Sequence, residues 1–132
     1  MQKVTAAVIE KDGAVLIARR KKTDRFGGVW EFPGGKLEPG EIPEDGLRRE
    51  LKEELGVETS VGPFLGGFPY VSAHFAIELL AFRVIILGGE IVLNDHDEIR
   101  WVRTADLGDF DFAKPDLPLV GLLLGRPFDQ SQ

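Results

Sequence analysis

The stretch from Glu44 to Leu55 constrains this chain more than any other. Leu47, Leu51 and Leu55 recur at i, i+4 and i+8, the stripe of an amphipathic helix, and Gly56 follows where a left-handed C-cap belongs. Glu50, Glu53 and Glu54 fall at i, i+3 and i+4 and share a face. Like charges so placed repel by about 0.2–0.5 kcal/mol per i,i+4 pair, and no lysine on that face dilutes them. A hard divalent cation suits such a set of oxygens, Mg²⁺ in particular, which binds through a few carboxylates plus substrate phosphates. An isolated ExxEE would be read as a solvated acidic face. Here the glycine-rich approach and the Glu41/Arg49 spacing around it also need explaining.

Around this helix the pattern is of strands. Val4 to Glu10 and Ala14 to Arg20 are apolar runs separated by Lys11-Asp12-Gly13, a β-hairpin signature. Lys21 to Gly28 reads as a loop, Trp30-Glu31-Phe32 as a short strand, and glycines and prolines dominate from there to Pro43. Strands are expected at Phe64 to Val71 and Phe75 to Leu87, a turn at Gly88-Gly89, and shorter strands at Ile91 to Leu93 and Ile99 to Arg103. Asp116 to Leu124 reads as a second helix, with Asp116 or Lys114 near its cap and Gly125 after it. Strands with helices inserted between them imply a mixed sheet covered on both faces, an α+β architecture. With 132 residues the chain is expected to form one domain, 1–132.

Charge and composition narrow the partners. The net charge of −6 argues against a nucleic-acid polymer, which calls for a basic face. A polyphosphate ligand would therefore need a cation to neutralise it. No cysteine is present, so disulfides and thiolate metal sites are excluded. The longest apolar run, Leu79 to Leu87, is broken by Arg83 and suits a buried strand better than a membrane span. Met1-Gln2-Lys3 leads into an apolar segment without a signal-peptide pattern, and the cytoplasm is the expected location.

Gly35 to Val57 reads GKLEPGEIPEDGLRRELKEELGV: Gly35, five residues, Glu41, seven residues, Arg49-Glu50-Leu51, one residue, Glu53-Glu54, one residue, Gly56-Val57. This resembles the Nudix box at every fixed position. At average composition such a coincidence arises on the order of once in ten million chains of this size. Arg19-Arg20 and the run Trp30-Glu31-Phe32-Pro33-Gly34-Gly35-Lys36 are similar to the MutT-like branch. The resemblance implies a Nudix α/β/α sandwich and a pyrophosphohydrolase dependent on Mg²⁺ or Mn²⁺. It also implies several roles: metal held by Glu50, Glu53, Glu54 and the Gly34 carbonyl, substrate assisted by Lys36, and Glu50 or Glu53 positioning or deprotonating water. Arg49 would pair with Glu41 and orient the loop on the helix.

Further positions follow from the same resemblance. The branch carries Glu-His, four residues, then Trp; here Asp95-His96 precedes Trp101, so Asp95, one methylene shorter, would add a metal ligand, with Glu98 as the substitute. His96 and His74 are expected to be structural or surface residues. Arg20 corresponds to an arginine that holds nucleotide phosphate, and Phe32 to an aromatic near the base. Asp116 stands where relatives place a base-contacting residue. An ionised carboxylate accepts hydrogen bonds and suits the exocyclic amine of cytosine, without excluding oxidised guanine. Asp116 as no more than a helix N-cap is the competing reading.

Two local features complete the expectations. Gly46 lies one turn before Glu50 and leaves room for a loop or a phosphate to approach. Ile42, before the helix-start Pro43, cannot cap, a local stability cost. The function implied is cleavage of (deoxy)nucleoside triphosphates to monophosphate and pyrophosphate, with cytidine-type or oxidised nucleotides such as 8-oxo-dGTP favoured. A small-molecule nucleotide would be the partner, and the enzyme a monomer or homodimer. A diphosphate conjugate such as ADP-ribose, or a non-catalytic nucleotide-binding module on the same fold, are the alternatives.

Overall fold

The computed structural model describes residues 1–22 and 27–126; residues 23–26 of the expected Lys21–Gly28 loop lie outside the described residues. The chain begins with a hairpin of β1 (Gln2–Lys11) and β2 (Ala14–Arg20). Its two turn residues are both left-handed, Asp12 at φ 53° and Gly13 at φ 78°, as the tight Asp-Gly hairpin turn requires. β3 (Trp30–Glu31), helix α1 (Pro43–Leu55), β4 (Glu58–Val71), β5 (Ala76–Gly88) and β6 (His96–Arg103) follow. Two 3₁₀ turns, Thr104–Asp109 and Lys114–Asp116, lead into α2 (Leu117–Leu123).

Among the described residues the strands form a mixed six-stranded sheet. β1 runs parallel to β5 from Gln2 to Ile9, β5 is antiparallel to β4, and β2 is antiparallel to both β3 and β6. β1 pairs with β2 only beside the turn, at Glu10–Val15 and Lys11–Ala14. Beyond that point the two strands diverge, and the segment from Pro33 to Leu37 fills the gap along β1. Thr5 N–H donates to Gly35 (2.8 Å), Ala7 N–H to Pro33 (2.7 Å) and Leu37 N–H to Lys3 (3.1 Å). The loop before α1 is therefore anchored as sheet.

β1 is apolar on both faces because both are covered. Ala7, Ile9 and Leu16 pack with Leu47, Leu51 and Leu55 of α1. Ala6, Val8, Val15 and Ile17 pack on the other face with Leu107, Leu119 and Val120. Two helical layers around one mixed sheet is the expected sandwich. No helix among the described residues is long and apolar enough to cross a membrane.

Two local expectations need correction. Ile91 to Leu93 is not a strand. Its backbone serves the end of α1: Val92 N–H donates to the Leu55 carbonyl (2.9 Å) and Asn94 N–H to that of Glu54 (3.2 Å). The last carbonyls of a helix lack internal partners, and this segment supplies them. Asp116 occupies the N-cap position of α2 but makes no capping bond, and Lys114 opens the preceding 3₁₀ turn.

Candidate active site

Two adjacent glycines shape the entrance for different reasons. Gly34 sits at φ 152°, and a β-carbon there would lie 2.0 Å from the Thr5 carbonyl oxygen. A β-carbon on Gly35 would lie 2.5 Å from the Glu50 carboxylate. Only glycine lets the loop press on β1 while Glu50 stands against it. Gly46 answers its own question: Leu37 and Glu41, both from the loop, fill the space its missing side chain leaves.

The loop and α1 are clamped by Arg49. Its Nε and Nη2 donate to the two oxygens of Glu41 (2.8 and 3.0 Å), Nη1 to Glu50 (3.0 Å), and Nη2 to the Lys36 carbonyl (3.2 Å). This is the bidentate geometry for which arginine is suited. The Arg49 hydrogen bonds and the Glu38 N–H bond pull the Glu41 carboxyl down to about 2, and the Arg49 guanidinium is raised above its ordinary value by the Glu41 bond. Arg49 thus binds the loop to the helix, as expected.

The clamp borders a cavity of about 540 Å³ lined by Arg20, Glu31, Phe32, Gly34, Lys36, Glu50, Glu54, Asp95, His96 and Asp116 among others. Most of the expected site residues meet there. Glu53 does not. Its side chain is 59% exposed and turned to Arg49 Nη1 at 3.3 Å, outside the lining. Glu98 is also outside, paired with Arg100 (2.6 Å) and Arg19 (3.4 Å), which hold its carboxyl below the usual range. Between the two candidates for the added carboxylate, Asp95 is the one facing the cavity.

At one end the site is acidic. Glu54 is buried and accepts the Gly34 N–H at 3.2 Å. Burial, then repulsion from Glu31 and more weakly from Glu50 and Asp95, drives its carboxyl up to about 9. Burial likewise raises Glu50. Among the described residues no three histidine or acidic side chains are gathered closely enough to hold a metal ion as they stand. The donor set nevertheless has the chemistry of a hard-cation site: Glu50, Glu54 and Asp95 share the cavity, and among the described residues the Gly34 carbonyl accepts no hydrogen bond while those of Pro33 and Gly35 are taken by β1. Glu50 has Arg49 Nη1 at 3.0 Å, whereas Glu54 and Asp95 have no positive partner among the described residues.

The other end is built from β3 and the chain before α2. Trp30 N–H donates to Asp111 and Ala113 N–H to Trp30 (both 2.9 Å), so this segment extends the sheet beside β3. Phe32 is 4% exposed and stacks on Phe112, with ring centroids 5.3 Å apart. Asp116 Oδ2 accepts the Phe32 N–H at 2.8 Å. That bond, and not a helix cap, is what the Asp116 carboxylate makes. Burial pushes it up to about 7 against the pull of the Phe32 N–H, so it is not simply the ionised acceptor expected.

Arg20 lies between the two ends. Its Nη1 donates to Glu31 (3.1 Å), while its Nε is buried without a partner among the described residues. A buried unpaired donor of a charged group is costly, and an incoming anion would satisfy it. Of the two histidines expected to be structural or surface residues, His96 is buried with Nε2 2.9 Å from Glu31 Oε2, and His74 is exposed. Three site residues had no role in the sequence reading. Glu31 receives both Arg20 and His96, Thr5 Oγ1 donates to the Gly35 carbonyl (3.1 Å), and Asn94 Nδ2 donates to the Glu53 carbonyl (2.7 Å). Thr5 alone carried a signal, as a lone polar residue within an apolar strand.

Comparison with known proteins agrees with this architecture. The NUDIX domain family model matches residues 1–122. A CTP pyrophosphohydrolase of Escherichia coli (strain K12) is 35% identical over 133 residues, spanning 98% of each chain. A putative 8-oxo-dGTP diphosphatase 2 of Mycobacterium tuberculosis is 39% identical over 118 residues, 87% of this chain and 82% of that one. The solution structure of the E. coli ORF135 protein superposes with a TM-score of 0.81 at 34% identity, covering 98% of this chain and 95% of that one.

Proposed function

This chain belongs to the NUDIX family, and on that premise we propose that it hydrolyses (deoxy)nucleoside triphosphates to the monophosphate and pyrophosphate, favouring cytidine-type or oxidised nucleotides such as 8-oxo-dGTP. The observation that carries this reading is the polarity of the cavity. Clustered carboxylates lie at one end, a base pocket of Phe32 and Asp116 at the other, and Arg20, its Nε without a partner among the described residues, between them. A triphosphate has the matching order: charged phosphates that travel with a cation, a phosphate to meet arginine, and a base.

Glu50, Glu54, Asp95 and the Gly34 carbonyl would hold Mg²⁺ or Mn²⁺, with Glu53 completing the acidic face from its place beside Arg49. When bound, such an ion neutralises phosphate charge, polarises phosphorus and lowers the pKa of attacking water. Glu50 is the residue to orient and deprotonate that water, since it is mostly buried, borders the cavity and is fixed by Arg49. The raising of its carboxyl by burial is the direction a general base needs. Lys36 and Arg20 bind phosphate. Arg49 holds Glu50 and the loop in register, and contributes geometry.

At the base pocket, burial raises the Asp116 carboxyl to about 7, which brings both its ionised and its protonated form into play near neutral pH. The carboxylate accepts from the exocyclic amine of cytosine, and the protonated form donates to a base oxygen. The relatives named for CTP and for 8-oxo-dGTP are similar over most of their lengths and support this pair of substrates. The test is a ranking of kcat/KM over CTP, dCTP, UTP, GTP and 8-oxo-dGTP with Mg²⁺. A cytidine or oxidised-guanine nucleotide at the top supports the reading. Turnover of ADP-ribose with all triphosphates inert overturns it.

A further inference from the structure

One group on the cavity wall has no part in that mechanism. His96 has a side chain only 2% exposed, yet it borders the cavity. A histidine kept for core packing would have both ring nitrogens satisfied or be surrounded by apolar atoms. His96 has Nε2 bonded to Glu31 Oε2 at 2.9 Å, while its buried Nδ1 has no partner among the described residues. Its one polar attachment is therefore Glu31, whose other oxygen receives Arg20 Nη1 at 3.1 Å.

The sheet is adjusted to make this line. β2 pairs β6 in regular register from Ala14–Arg103 to Arg19–Glu98, then shifts so that Arg20 faces His96 instead of Asp97. A bulge of this kind re-aims side chains at the end of a strand. β3 brings Glu31 against the other side of β2, two places from Arg20 at Ala18. Arg20, Glu31 and His96 thus converge from three strands. Glu31 is held on both oxygens in a cavity that it shares with the carboxyl groups of Glu54 and Asp116.

We propose that His96 is a positioning residue for the nucleotide end of the site, fixing through Glu31 the guanidinium of Arg20 that the nucleotide meets. This rests on the reading above that Arg20 contacts nucleotide. Losing the His96 contact frees Glu31 Oε2, and Glu31 is then able to draw Arg20 away from its position in the cavity. Binding should suffer more than chemistry, since the His96 hydrogen bond goes to Glu31 and not to Glu50, Glu54 or Arg49.

The test uses the intact chain. His96→Leu, of similar volume without the N–H, should raise KM for the best triphosphate about 5- to 20-fold with kcat within about threefold. His96→Gln, which restores an N–H at similar reach, should return KM to within about threefold of wild type. His96→Leu combined with Glu31→Gln should be no worse than the more impaired single variant, because one interaction is removed twice. The imidazole ¹⁵N spectrum should show the proton on Nε2 and should change in Glu31→Gln. Additive losses, an unmoved KM, no rescue by Gln, or a His96 signal indifferent to Glu31→Gln would each overturn the role. If His96→Leu does not fold, the Gln variant, Glu31→Gln and the spectrum still decide. A wild type inert on every triphosphate overturns the functional reading and this role with it; an active wild type with KM unmoved in His96→Leu overturns this role alone.

Discussion

The Glu54 carboxylate accepts the Gly34 amide at 3.2 Å, so the acidic helix and the glycine loop meet at one hydrogen bond inside the cavity. With its carboxyl driven up to about 9 by burial and neighbouring acids, Glu54 is mostly protonated at neutral pH until a cation supplies the missing charge. Glu54→Gln should imitate that protonated state. Metal-free stability at pH 7 should stay within about 1 kcal/mol of wild type, while turnover falls on the order of 10²-fold and the rise in Tm with Mn²⁺ is lost. Melts with and without Mn²⁺ check it, and a Glu54→Gln enzyme that turns over normally removes Glu54 from the metal site.

Asp116 predicts a pH dependence of stability. Its ordinary carboxyl value of 3.8 is raised to about 7, first by burial. Below pH 4 both folded and unfolded chains are protonated there. Between about 4 and 7 the unfolded chain ionises first, so stability falls as pH rises through that window and levels off above it. Asp116→Asn removes this loss. Its stability relative to wild type should grow by roughly 2–4 kcal/mol from pH 4 to pH 8 in metal-free denaturant unfolding. A difference independent of pH contradicts the placement of Asp116 in a dry pocket.

The same substitution tests base reading. The asparagine amide in Asp116→Asn keeps the shape and can still accept the Phe32 N–H, but carries donors at all pH values. Preference should move from cytosine toward bases offering an acceptor by about 1–3 kcal/mol in kcat/KM, with kcat on a good substrate largely kept. Measurements on CTP, UTP, GTP and an oxidised guanine nucleotide check it. An unchanged ranking places base recognition elsewhere.

How far these features could be read from sequence depends on how local they are. The leucine stripe, Gly56 and the Asp12-Gly13 turn act within a few residues, and each appears where expected. The apolar run Ile91 to Leu93 has the composition of a strand; only the folded chain shows its N–H groups spent on the carbonyls of α1. Asp116 meets Phe32 across 84 residues, and His96 meets Glu31 across 65. No pattern near Asp116 distinguishes a helix cap from a residue bonded to a distant strand. The box placed Glu50 and Glu54 at the cavity but could not tell that Glu53, three residues after one and next to the other, turns out toward Arg49.

Ile42 offers a test of local stability. It holds the extended backbone of an N-cap (φ −70°, ψ 133°), makes no capping bond and is 59% exposed. It is not a packed hydrophobic staple. Ile42→Thr should therefore stabilise by about 0.5–1 kcal/mol by accepting a free N–H of the first turn. Thermal melts check it, and a loss of stability would mean that Ile42 packs more closely than its exposure indicates.

Cleavage of a triphosphate to pyrophosphate and monophosphate has a product signature of its own. The direct measurement is phosphorus NMR of the products from CTP, or from the best substrate of the panel, with Mg²⁺ present and with it chelated. Equimolar nucleoside monophosphate and pyrophosphate are expected with Mg²⁺, and no turnover once the metal is chelated. Release of inorganic phosphate and a nucleoside diphosphate, or turnover that survives chelation, would contradict this.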